Sequence, residues 1–144
     1  MTDAVDTVTA GRQALRACGD LSDLIDGRVY GGEVPGADAD VMPRGCIVVA
    51  NAGGGGSGVG ASDTRAWTRG RIDVRSYGET PAEAAAISVM AHLWLKQWTR
   101  RVANGVLIDT VEEGAGPISF RDPNTDWPMT IRTYLLLHAD RLVS

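Results

Sequence analysis

Arg65, Trp67, Arg69, Arg71, Asp73, Arg75 and Tyr77 alternate with Ala66, Thr68, Ile72 and Val74. A β-strand turns successive side chains to opposite faces, so residues 64–77 read as one strand that carries a ladder of guanidiniums on one face. Planar guanidiniums grip carboxylate or phosphate through paired hydrogen bonds. The ladder therefore has three readings: a solvated face whose Arg stems cover Trp67, a subunit interface, or a contact with passing DNA. Repulsion among like charges favours an oppositely charged partner, and Asp38, Asp40, Glu112 and Glu113 of a neighbouring copy are candidates.

Gly53, Gly54, Gly55, Gly56 and Gly58 form the second unusual pattern. A phosphate-cradling P-loop ends in Gly-Lys-Ser/Thr, whereas this run continues Gly58-Val59-Gly60-Ala61-Ser62 without a lysine, and no well-periodic helix opens behind it. Chain without side chains has much conformational entropy to lose, so residues 51–63 read as a flexible loop that orders against a docking partner. The remaining candidates for chemistry do not assemble. His92 and His138 form no HExxH pair, no Gly-x-Ser-x-Gly elbow is present, and Glu112 and Glu113 are neighbours on a strand and face opposite ways. The expectation is a protein without catalytic residues, cofactor or metal.

Composition narrows the class further. With 144 residues, 44% hydrophobic and 22% charged, the chain suits one domain spanning residues 1–144. A net charge of −4 argues against a surface built throughout to neutralise phosphate. Lys96 is the only lysine, so fixed multi-donor contacts dominate the basic chemistry. Cys18 and Cys46 lack CxxC spacing and read as buried thiols, not as a disulfide or zinc site. Met1-Thr2-Asp3-Ala4 is acidic where a signal peptide is basic, and no apolar run reaches bilayer length. Folding in the cytoplasm, with no membrane partner, is expected.

The elements that must position these residues follow from periodicity. Val5, Val8, Leu15 and Cys18 recur at helical spacing over residues 3–18, and a single helical turn is expected at 21–25. A brief strand at 28–30, an exposed loop at 31–45 and an apolar strand at 46–50 come next. Thr80-Pro81-Ala82-Glu83 combines a Thr N-cap, Pro at the first helical position and a capping-box Glu. The helix it opens is predicted over 80–101, with Ala84, Ile87, Met90, Ala91, Trp94, Leu95 and Trp98 on its apolar face. A strand is predicted at 106–111, a turn-rich excursion at 112–127 and a last strand at 128–138. Gly70 is a candidate bulge in the arginine strand. The order gives an α+β fold: a mainly antiparallel β-sheet packed by one long helix (80–101), with an N-terminal helix beside it.

The stretch Leu24-Ile25-Asp26-Gly27-Arg28-Val29-Tyr30, then Ile72-Asp73-Val74-Arg75-Ser76-Tyr77-Gly78 feeding the helix from Thr80, resembles the small tail-completion or tail-terminator proteins of long-tailed bacteriophages. Arg121-Asp122-Pro123 and Trp127-Pro128 before the last strand are also similar, so the resemblance runs in order over most of the chain. It implies an α+β virion protein that forms a hexameric ring on the last layer of the tail tube, stops polymerisation and offers the head-tail joining surface. Its implied partners are further copies of itself, the tail tube protein and the head connector or stopper protein, with DNA passing through the ring. The implied places are the virion neck and, during assembly, the host cytoplasm. Arg65, Trp67, Arg69, Arg71 and Arg75 are then the expected subunit or tube interface, and the Gly53–Gly58 run the docking loop. Two other readings stay open: a head-completion stopper protein at the portal, and a DNA-binding module using the Arg65 to Arg75 strand.

Overall fold

The hydroxyl of Thr80 accepts from the Glu83 backbone N–H at 3.1 Å, so the predicted N-cap starts the central helix, α4 (Pro81–Leu95). The return half of the capping box is shifted by one residue, because Glu83 Oε1 accepts from the N–H of Glu79 and not of Thr80. Ala84, Ile87, Ala91 and Leu95 are buried along one side, with Met90 and Trp94 packed at its margins. The computed structural model describes residues 4–59 and 66–143, with backbone alone at 54–59 and 66.

The helix stops at Leu95, short of the expected 101. Trp98 is drawn into the core, where its indole N–H donates to the Ile108 carbonyl at 3.2 Å, and its backbone N–H turns back to the Leu95 carbonyl. Arg101 already belongs to a strand, β4 (Arg101–Ala103), which pairs with β5 (Val106–Arg121) through a two-residue turn. Asn104 and Gly105 take φ values of 49° and 83°, the left-handed pair that such a hairpin demands.

Before these come α1 (Thr7–Arg16), α2 (Gly19–Ile25), β1 (Val29–Gly31), a short α3 (Gly36–Ala39) inside the expected loop, β2 (Cys46–Val59) and β3 (Ala66–Tyr77); β6 (Pro128–Ala139) closes the order. The strands form one sheet in the order β1-β2-β3-β6-β5-β4, parallel only between β1 and β2. The α+β class with a mainly antiparallel sheet therefore holds, with α1 and α4 in contact beside each other on the sheet.

Two strands run further than expected. Residues 51–59 continue β2 instead of opening a loop: Gly55 to Val59 pair with Gly70 to Ala66. A bulge between Asn51 and Gly55 absorbs the extra residues, with the Asn51 side chain accepting from the Gly53 N–H at 2.7 Å and Gly53 at φ +74°. The rest of the expected loop, 60–63, lies outside the described residues. Likewise β5 continues through the expected excursion to Arg121. Shifts of register at Glu113/Ala115 and Ala115/Ile118 accommodate Gly114, Gly116 and Pro117, after which Ile118 to Arg121 pair again with Ile131 to Pro128.

Both helices cover one face of the sheet, where Ile47, Val49, Ile72, Val74, Ile108, Tyr134 and Leu136 join Leu15, Ile87 and Leu95 in the main core. Small residues bring α1 close. A Cβ on Gly11 would lie 2.5 Å from Ile72 Cδ1, and one on Gly70 would collide with the Thr7 side chain. Gly70 thus marks a close approach of helix to strand, and it also flanks the β2 bulge, its pair with Gly55 being the first beyond the register shift, while its pairing to Leu136 is regular. The opposite face has a smaller cluster of Cys46, Val48, Tyr77 and Met129, roofed by Val34, Met42 and Trp127.

Candidate assembly surface

The alternation along β3 survives in the fold. Ile72 and Val74 enter the core, while Arg69 and Arg71 stand exposed on the face away from the helices. Register extends that face across the sheet: Arg69 lies level with Leu137 and Thr110, Arg71 with Leu135 and Glu112, and Arg75 with Ile131 and Ile118. A column of half-buried apolar side chains on β6 thus runs between arginines and the partly apolar outer strand β5. Ile118 and Phe120 are exposed at 61% and 40%.

The ladder is shorter than four guanidiniums. Arg65 lies outside the described residues. Arg75 is half-buried, approaches Asp73 at 3.9 Å, and borders a cleft of about 310 Å³ with Tyr77, Asp122, Thr125 and Trp127. Asp73 breaks the ladder's charge and accepts from the Thr133 hydroxyl at 2.9 Å. Arg100 covers Trp67, its guanidinium sitting 5.2 Å from the ring centroid and pairing with Asp109 at 3.2 Å. Arg69 and Arg71 remain as an adjacent exposed pair, and neither makes an ion pair among the described residues.

Of the four carboxylates expected to oppose the ladder from a neighbouring copy, three have local positions. Asp38 pairs with Arg44 at 3.3 Å, Glu113 points to the helix face and meets His92 Nε2 at 3.2 Å, and Glu112 lines the same shallow hollow as Arg69. The expectation that Glu112 and Glu113 face opposite ways is met. His92 also bonds the Tyr134 hydroxyl through Nδ1 at 2.8 Å, so it ties α4 to β6 and β5. Burial, more than the nearby Glu113, pushes the Tyr134 hydroxyl's pKa up and keeps it a neutral partner. Tyr77 is held similarly: burial and then its hydrogen bond to Asp122 at 3.0 Å raise its pKa, and its ring meets Trp127 edge-on at 5.7 Å.

His138 is fully buried between the Thr7 hydroxyl and the Ala139 carbonyl. Cys18 and Cys46 are both buried free thiols, the latter with its pKa pushed up to about 12 by burial. Among the described residues no group of three or more His, Cys, Asp or Glu is placed to hold a metal, and no helix is long and apolar enough to cross a membrane.

The sequence reasoning missed the outer half of β5. Its signal was present in Ile118-Ser119-Phe120-Arg121, which alternates apolar and polar, but Gly114, Gly116 and Pro117 read as the end of the strand. It also passed over β4, whose Arg101 looked like a helix terminus and instead stacks its guanidinium on Trp94 and Trp98 at 4.8 and 4.9 Å.

No family model and no curated relative matches the sequence. Among solved structures, a chain in the virion of a native gene transfer agent particle is similar in fold, with a TM-score of 0.62 at 15% identity. The match covers 94% of this chain and 99% of that one, so the likeness is of the whole fold and not of a shared fragment.

Proposed function

We propose that this chain is a non-enzymatic structural protein of a tailed-phage-like virion, forming a ring at the head-proximal end of the tail tube. There it terminates tube polymerisation and presents the surface to which the head connector or stopper docks. The observation that carries the reading is the end-to-end likeness in fold to a virion component, at 94% and 99% coverage. The order of motifs from Leu24 to Pro128 adds the tail side of the joint.

The surface chemistry supports assembly. Arg69, Arg71, Leu135 and Leu137 form an open sheet face in which apolar area is flanked by charge, the composition of a docking patch. Beyond Ile108 the outer edge of β5 has no strand beside it among the described residues, and such an edge is itself a site for another chain. The distal part of the β2–β3 pair, with Gly55 to Gly58 in its ladder, is the second docking element. Glycines there offer bare backbone to the tube or the connector. A ring needs two different complementary surfaces on each copy, and closure limits its growth.

The test is polymerisation of the cognate tube protein in vitro. Adding the purified chain is expected to hold tubes at a fixed length, with the chain at one end. Unchanged tube growth, with the chain instead bound to portal rings, would move it to head completion.

A further inference from the structure

The open face carries an unpaired arginine couple beside a leucine column, and the same molecule carries its complement on the other side. Helix α2 buries Leu21 and Ile25 and turns Asp20, Asp23 and Leu24 outward; Leu24 is 50% exposed. At 100° per residue these three fall within about a third of a turn, a ridge with two carboxylates and one apolar knob. No basic residue lies within α2, and neither Asp20 nor Asp23 makes an ion pair among the described residues.

We infer that the Asp20-Asp23-Leu24 ridge of a second copy is the partner of the Arg69-Arg71-Leu135-Leu137 face. This rests on the ring reading and names its subunit contact. The spacings agree. Helix residues three apart stand about 5–6 Å apart, and strand residues two apart on one face about 6.6 Å, so each carboxylate can meet its own guanidinium. Adjacent strands lie about 4.8 Å apart, which sets the leucine column where Leu24 arrives once both ion pairs form. Leu21 and Ile25 anchor α2 in the core on the helix side, opposite the arginine face, so the contact is head-to-tail, as a cyclic assembly requires. It also supplies carboxylates where Asp38 and Glu113 are occupied within their own chain.

Native mass spectrometry of the full chain tests this with charge reversals at exposed positions. The wild type is expected to form a closed oligomer, and both Arg69→Glu/Arg71→Glu and Asp20→Lys/Asp23→Lys are expected to be monomers. Mixing the two variants one to one should restore a ring of alternating copies, and so should placing all four substitutions in one chain. Circular dichroism separates a folded monomer from a chain that fails to fold, and the rescue itself requires folded chains. A wild-type oligomer that survives either reversal, with DNA binding lost from the arginine variant instead, overturns this contact and leaves the ring reading standing. A monomeric wild type also overturns the contact, while the position of the chain in the particle decides the ring reading separately.

Discussion

His138 is fixed in one tautomer by its surroundings. Nδ1 bonds the Ala139 carbonyl at 2.9 Å and must donate, which leaves Nε2 to accept from the Thr7 hydroxyl at 3.0 Å. A second proton would reverse that bond, the Thr7 hydroxyl then accepting, and would place charge in the core; burial lowers the pKa, against weaker opposing pulls from the Ala139 carbonyl, Asp6 and Asp140. The folded pKa lies below the unfolded value of about 6.5, so the unfolded chain takes the proton first. Stability is therefore complete above about pH 6.5 and declines as pH falls below it, by at most about 1.4 kcal/mol per pH unit from this one group. Urea unfolding between pH 7.5 and 5 is expected to show this decline, and His138→Gln should flatten it; an unchanged slope in the variant would assign the decline elsewhere.

At the scale of elements, α1 lies on the sheet because Gly11 and Gly70 leave room for it. A methyl at Gly70 collides with Thr7, the first residue of α1, so Gly70→Ala must push the helix off β3. The expected loss is about 1–3 kcal/mol by thermal or urea unfolding, and Thr7→Gly in the same chain should recover part of it. This contact shows where the sequence was legible and where it was not. The Thr80 cap and the alternation of β3 depend on residues within a few positions of each other, and both could be read. Much of the α1 contact rests on Ala10, Gly11 and Ala14, small residues that give no hydrophobic period, so its face was placed through Val5, Val8, Leu15 and Cys18 instead. Strand lengths failed for a related reason. Gly53–Gly58 and Gly114–Pro117 read locally as breaks, yet after short irregularities the neighbouring strands β3 and β6 take Gly55 to Gly58 and Ala115 back into the ladder. Of the candidate surface, the Arg69 and Arg71 pair was visible in the alternation. That Arg75 turns into a cleft and that Asp38 and Glu113 are taken locally depended on contacts 6 to 45 residues away in sequence.

For the whole molecule, one sheet with α1, α2 and α4 on one side leaves a second face only partly roofed, by the segment that holds α3, and among the described residues its two edges are incompletely paired. Such a subunit presents the Asp20-Asp23-Leu24 ridge on one side and Arg69, Arg71, Leu135 and Leu137 on the other. Head-to-tail contacts between them generate a ring if the rotation closes, and a ring is the shape that caps a tube through which DNA passes. Electron cryomicroscopy of virion necks with this chain tagged tests that account most directly. A ring of this chain on the last layer of the tail tube, beneath the head connector, is the predicted result; a ring seated against the portal, or particles without the chain, would contradict it.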